Sequence, residues 1–382
     1  MLELWNSIHY QEFRSKLLTE KKSNICKKCY SVPSLSFSGT KNVEGARTIY
    51  DDRLGSSFTG YSIFSNLNQV TFIELWFSNK CNLKCRMCSP KHSNQLIKDW
   101  NSVVDSTKDS KYFSYLEDIL LPEKDWTEDE NSWNNLFNFV KAIHDNNPNQ
   151  IITFIMSGGE PAICDGMYKF FDLCLEYDIA KNIILSYNTN LTVLPSKMLS
   201  HWKNFKQVEL TASIDGFNEV NNYIRYPSQW EKIVNNISLL RELQTEINIS
   251  LQVRPTIQIY NILSITELYS WCLVTPFSNS YNHIGFGRLS NPLVGPEILN
   301  ITALPKPLKD LSAKRLIKFF EDYKDFKYLI NNNFERGVRF ILKYMYSKDS
   351  SHLFPDFLRF TTHLDKSRNQ NILDIMPELR QL

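Results

Sequence analysis

The sequence predicts an α/β chain built as an open partial barrel, and three observations carry that expectation. From residue 70 onward, short strand patterns alternate with helix-like segments. Helices between successive strands imply a parallel sheet with right-handed crossovers. Six such units are present, fewer than the eight that close a full barrel.

Residues 1–22 read as a helix, with Trp5, Ile8, Phe13 and Leu17 roughly on one face. A loop-rich stretch from 23 to 69 follows, containing Cys26, Cys29 and several Gly, Ser and Pro residues. Strands are expected at 70–77, 151–156, 182–187, 207–213, 247–254 and 282–289. Helix-like segments fall near 90–101, 166–177, 195–204, 229–243 and 262–273. A long insertion, 105–150, separates the first two strands and reads as helical in its later part. After residue 305 the chain is helical in pattern, with no internal repeat and no low-complexity tract. The division expected is an N-terminal extension 1–69, a barrel 70–290 and a helical C-terminal extension 291–382.

The 382 residues are 42% hydrophobic and 22% charged, an ordinary globular composition. A formal net charge of +2 argues against broad electrostatic binding to nucleic acid, which is not expected as a partner. The amphipathic N-terminus lacks the apolar core of a signal peptide. The longest apolar runs, such as 151–156, are far short of a membrane span. No membrane association is expected, and a cytoplasmic location is. In that setting eight cysteines point to metal ligands or buried thiols rather than disulfides.

Cys81, Cys85 and Cys88 lie in the loop after the first strand, spaced three and then two residues apart. Three thiolates at that spacing can wrap one face of a 4Fe-4S cluster. Such clusters normally take four cysteines, so three leave one iron open. An open position on a metal is where substrate or cofactor enters. A zinc site remains the alternative, with His92 as a candidate fourth ligand. Cys26 and Cys29 form a further half-site that needs partners from elsewhere, or else a pair of reduced thiols.

Polar and glycine motifs follow the next strands in order. Ser157-Gly158-Gly159-Glu160-Pro161 comes after the second strand. Its glycines permit close backbone approach, and its carboxylate can accept hydrogen bonds from an ammonium group. Pro161 equally suits a plain strand-to-helix turn. Tyr187-Asn188-Thr189-Asn190 ends the third strand, and Ser213-Ile214-Asp215-Gly216, followed by Arg225, ends the fourth.

Together these motifs resemble the radical S-adenosylmethionine superfamily. That resemblance implies a partial (β/α)6 TIM-like barrel spanning roughly 70–290, with Cys81, Cys85 and Cys88 holding the 4Fe-4S cluster. The free iron would chelate S-adenosylmethionine, whose reductive cleavage yields a deoxyadenosyl radical that abstracts a hydrogen atom. By the same resemblance Met87 faces the adenine, where many members carry an aromatic. Gly158, Gly159, Glu160 and Pro161 hold the amino group. Asn190, followed by Leu191 where the family has glycine, reaches the ribose or substrate. Ser213 contacts the ribose and Arg225 the carboxylate. Asp215 is a candidate substrate contact or a structural cap. The ends of the chain resemble the twitch domain-containing subgroup, through Cys26, Cys29, Glu44, Gly45, Arg47, Leu364, Asp365, Arg368, Pro377, Glu378 and Leu379. With Cys272 alone after Cys174, a C-terminal cluster held by cysteine is not expected. The partners implied are an electron donor such as flavodoxin or ferredoxin, and a substrate that is a peptide or small molecule. The competing reading is a metal-binding or electron-transfer module without catalysis.

Overall fold

The computed structural model describes residues 2–19, 70–106, 126–275, 291–325 and 334–381. The first half of the chain contributes α1 (Leu2–Asn6), α2 (Ile8–Thr19), β1 (Phe72–Trp76), α3 (Ile97–Ser106), α4 (Glu130–Asn146), β2 (Ile152–Ser157), α5 (Asp165–Glu176), β3 (Ile183–Thr189) and α6 (Ser196–Trp202). Then come β4 (Gln207–Ala212), α7 (Glu219–Ile224), α8 (Trp230–Leu243), β5 (Ile249–Val253), β6 (Thr256–Ile257), α9 (Ile259–Ile262) and α10 (Ile265–Val274). The last are β7 (Asn291–Pro292), α11 (Lys306–Tyr323), α12 (Phe334–Met345) and α13 (Phe354–Arg368).

Two compact units divide the chain: 1–72 with 129–152, and 73–128 with 153–382. In the smaller unit the single N-terminal helix expected from the sequence is two helices. Ser7 interrupts it, its backbone N–H and hydroxyl both donating to the Leu4 carbonyl, at 3.1 and 2.7 Å. Such local side-chain bonding competes with helix continuation. Asp129 caps α4 by accepting from the N–H groups of Asn131 and Ser132. Trp133, Leu136, Phe137, Val140 and Ile143 make up the buried stripe of α4.

The larger unit carries a five-stranded parallel sheet in the order β1-β2-β3-β4-β5. Neighbours in space are neighbours in sequence. When every right-handed crossover steps the same way, the helices collect on one face and the sheet curls as in a barrel. Side-chain parity shows the result. On β3, β4 and β5 the residues Leu185, Tyr187, Val208, Leu210, Leu251 and Val253 are at most 2% exposed. The Phe154 ring lies 4.7 Å from Phe170 of α5, and Tyr187 lies 5.7 Å from Trp202 of α6, so this is the helix-covered face. Of the alternate residues, Ser186, Glu209, Ser250 and Gln252 are only half-buried and Asn188 is exposed, while Thr211 is buried.

β6 pairs in parallel with β7 to make a separate two-stranded sheet. The sixth strand expected at 282–289 lies outside the described residues. The C-terminal helices α11, α12 and α13 belong to the larger unit. Rings join α11 to α12 at Phe319 and Phe334 (5.6 Å) and α9 to α13 at Tyr260 and Phe357 (5.1 Å). Among the described residues no helix is long and apolar enough to cross a membrane.

Candidate functional site

The strands of a parallel α/β sheet deliver their following loops to one edge, and the predicted motifs occupy that edge. The cysteine loop follows β1. Its backbone is stitched to the end of α7: the Lys84 N–H donates to the Tyr226 carbonyl at 2.6 Å, and that of Arg86 to Ile224 at 2.9 Å. Leu83 is buried beneath it, with its carbonyl taken by the Ser93 hydroxyl at 2.6 Å. Cys85 is buried, while Cys81 and Cys88 are half-buried.

The three thiols influence one another and a nearby cation. Burial, with Cys85 adding to it, pushes the Cys81 thiol up to about 12. A hydrogen bond with Cys88 pulls Cys85 below its ordinary value against burial, and Arg225 assists. The same bond, with burial, raises Cys88. Arg225 Nη1 lies 3.8 Å from Cys85 Sγ. Three soft sulfur donors beside a fixed guanidinium suit an iron–sulfur cluster, whose negative charge the arginine would offset.

The zinc alternative fares less well. His92 turns its Nδ1 to the Ser89 hydroxyl at 3.0 Å and packs its ring 5.3 Å from Trp76. Among the described residues no three His, Cys, Asp or Glu side chains gather as around a single ion. A cluster makes no such demand, because each thiolate takes a different iron. Cys26 and Cys29 lie outside the described residues.

Gly158 and Gly159 are needed where they stand. Gly158 adopts φ +118°, and a Cβ on Gly159 would lie within 3 Å of the Asn79–Lys80 backbone. The Gly159 and Glu160 N–H groups donate to the carbonyls of Ser78 and Lys80, at 2.8 and 2.9 Å. The glycines thus let the turn after β2 lie flat against the lead-in to Cys81. Glu160 is buried and caps the short 3-10 turn begun by Pro161, accepting from the Ala162 N–H. It also accepts from the Thr189 hydroxyl at 2.8 Å and the Asn190 N–H at 2.7 Å. Burial pushes its carboxyl up to about 7 despite these donors.

Asn190 extends the chain of contacts. Its Nδ2 donates to Asn82 Oδ1 in the cysteine loop at 2.9 Å. Leu191, where the family has glycine, sits at φ +58°. Ser213 is half-buried and joins the end of β3 through its N–H to the Thr189 carbonyl at 2.8 Å. Met87 is half-buried on the cysteine loop. Arg225 is buried and forms an ion pair with Asp215, Nε to Oδ2 at 2.7 Å, with the N–H directed off the oxygen. Burial opposes the charge on Arg225, but Asp215, Cys85 and Cys88 outweigh it and hold its pKa above the ordinary value. Asp215 is wholly buried, with Oδ1 accepting from the Thr256 N–H at 2.7 Å. Within the chain Asp215 thus holds the Arg225 guanidinium.

Sequence reasoning passed over a further layer of charge behind the cysteines. Arg86, between two of them, is buried. Its Nη2 pairs with Asp365 Oδ1 of α13 at 2.5 Å, its Nε donates to the Tyr223 carbonyl at 3.0 Å, and its guanidinium lies 3.7 Å over the Tyr223 ring. Asp365 also accepts from the Tyr223 hydroxyl at 2.8 Å and the Ile372 N–H at 2.8 Å. Arg368 pairs with Asp99 of α3 at 2.9 Å, and Asp99 pairs with Lys84 at 3.0 Å. The C-terminal helix is therefore tied to the cysteine loop by one direct ion pair and by a relay of two through Asp99 of α3. Asp365 and Arg368 stood out only as parts of a weak terminal pattern; no local signal marks Arg86.

Residues 77–255 match the family model described as the Radical SAM superfamily. That stretch is a radical SAM domain. It opens at the end of β1 and closes just past β5, so it contains the cysteine loop, the Gly-Gly-Glu-Pro turn and Arg225. Radical SAM domains use a 4Fe-4S cluster and S-adenosylmethionine, the two cofactors expected from the sequence. Among solved structures, native anSMEcpe with bound AdoMet and Cp18Cys peptide is similar over 69% of this chain and 61% of that one, at 18% identity and a TM-score of 0.41. The crystal structure of Streptococcus suis SuiB bound to S-adenosylmethionine is similar over 53% and 37%, at 13% identity and a TM-score of 0.35. The chain therefore spans less than two thirds of either protein. No curated protein sequence matches it.

Proposed function

We propose that the chain is a radical S-adenosylmethionine enzyme that abstracts a hydrogen atom from a peptide or small-molecule substrate. One observation carries this reading beyond the domain match. Glu160 bonds to Thr189 and Asn190, and Asn190 bonds to Asn82 beside Cys81, so motifs from three different loops form one hydrogen-bonded rim. A non-catalytic metal module has no use for that rim.

Cys81, Cys85 and Cys88 hold the cluster. When bound, the cluster supplies the electron that cleaves S-adenosylmethionine reductively. The protein's own groups bind and orient. Arg225, fixed by Asp215, presents positive charge to the thiolates and to the methionine carboxylate. Glu160 already has both oxygens engaged, so it acts by shaping the Gly158–Pro161 turn that receives the ammonium group. Asn190 and Ser213 stand at adjoining strand ends, where they would meet the ribose, and Met87 would pack on the adenine. The domain 70–290 is the catalytic barrel, with 291–382 bracing it. An electron donor of the flavodoxin or ferredoxin kind serves it in the cytoplasm.

Purified without oxygen, the protein is expected to carry about four irons per chain and to cleave S-adenosylmethionine once reduced. Replacing Cys81, Cys85 and Cys88 together by Ala is expected to abolish both. A colourless wild-type protein holding only zinc ends the reading.

A further inference from the structure

The open face of the sheet has a composition unlike its helix-covered face. The register aligns Ser186, Glu209 and Ser250 in one row across β3, β4 and β5, and Asn188, Thr211 and Gln252 in the next. Every one of these six side chains is polar. The rows that alternate with them on the covered face are Leu185, Val208 and Ile249, then Tyr187, Leu210 and Leu251. Within the second row the members satisfy one another: Gln252 Nε2 donates to Thr211 Oγ1 at 2.8 Å.

Glu209 is different. It sits mid-strand on β4, with a strand hydrogen-bonded on each side, and is half-buried. Among the described residues its carboxylate has no hydrogen bond and no ion pair. Its row neighbours, Ser186 and Ser250, make no side-chain hydrogen bond there either. No Lys or Arg occurs within the five strands, so the strands supply no counter-charge to this face. A partly desolvated carboxylate left without a donor carries a standing cost, which a ligand able to donate removes.

Ser213 follows Glu209 on the same chain at an even spacing, so the two share a face where the strand geometry continues. At about 3.3 Å per residue they are separated by roughly 13 Å. A ligand reaching from the cofactor edge to Glu209 must span that length. A two- or three-carbon amine does not, whereas a few extended peptide residues with a long basic side chain do. The amide-matching groups along the way, Asn188 and the serines, fit the same occupant.

We propose that Glu209 is the specificity-determining residue for substrate, and that it receives the Lys or Arg side chain of a peptide laid across the open face of the sheet. This rests on the reading of the chain as a radical S-adenosylmethionine enzyme and gives that reading a substrate class. The carboxylate selects the cation, and the two serines flank it with hydroxyls.

The test uses cluster-loaded full-length protein and an equimolar random hexapeptide library in the presence of S-adenosylmethionine. Peptides retained by wild-type protein are expected to be enriched in Lys and Arg. Glu209→Gln is expected to lower that enrichment about ten-fold or more, the scale of one charge-assisted hydrogen bond. Glu209→Lys is expected to replace it with enrichment in Asp and Glu. Iron content and thermal midpoint, measured on each variant, exclude unfolding as the cause. Absence of basic enrichment on wild-type protein overturns the proposal, and so does enrichment that survives Glu209→Gln. Displacement of the bound peptides by cadaverine at equal concentration overturns the peptide in favour of a free amine. Cleavage of S-adenosylmethionine, assayed on the same samples, separates the two levels. Cleavage without basic enrichment sinks only the substrate class, and basic enrichment without cleavage sinks the reaction.

Discussion

Glu160 shows how burial and hydrogen bonding compete at a single residue. Three donors from the chain favour its charged form, yet burial dominates and its carboxyl titrates at about 7 against an ordinary 4.5. The folded protein therefore binds more protons than the unfolded chain between those values. Stability from this group is fully present below about 4.5, is lost as pH rises towards 7, and is flat above. Wild-type protein unfolded by urea at pH 5 and pH 7.5 should lose stability between the two. Glu160→Gln should remove roughly 2–3 kcal/mol of that difference, and an unchanged difference would show that another group titrates. Leu191 poses the opposite contest. Its φ of +58° costs about 1 kcal/mol in a non-glycine residue. Its side chain is wholly buried, and emptying such a site costs about 2–5 kcal/mol. Burial wins, so Leu191→Gly should destabilise by roughly 2–4 kcal/mol in chemical denaturation, despite restoring the family's glycine. A gain in stability would mean that backbone strain outweighs burial at this position.

Between elements, the decisive joint is that of the cysteine loop with α13. Breaking a buried ion pair by removing one partner costs about 3–5 kcal/mol, because the other charge is left stranded. Asp365→Ala should cost that much and release iron faster under chelator. Replacing Asp365 and Arg86 together by Leu and Met should recover more than half of the loss, since no buried charge then remains. Equal loss in the single and double variants would assign the effect to packing alone. None of this was legible beforehand: Arg86 and Asp365 are 279 residues apart, and nothing local announces a pairing at that distance. The strand-end motifs were legible for a converse reason. Gly158, Gly159 and Glu160 are set by local backbone demands, so their short pattern survives in the linear chain. The alternation Gln207, Glu209, Thr211 against Val208, Leu210, Ala212 was also present in the sequence. It separates a polar face from an apolar one, but what the polar face meets is set by elements distant in sequence. The break at Ser7 was not foreseen, because the apolar face of the N-terminal segment continues across it while one serine closes the first helix locally.

At the scale of the molecule, β3 and β4 are flanked by strands on both sides and their covered faces are almost wholly buried. Their amides should exchange most slowly, at the global unfolding free energy, while those of the cysteine loop exchange through smaller openings. Mass-spectrometric exchange that protects both equally would mean that the loop opens only with the sheet. The tie between Arg86 and Asp365 also has a consequence in time. A ribosome adds about 5–20 residues per second, so the thiol-bearing loop emerges tens of seconds before the aspartate that anchors it. Throughout that interval the loop has its cysteines but neither Asp365 nor Arg368. The brace arrives only with α13, so a braced loop can receive metal only after residues 354–368 have been made and packed.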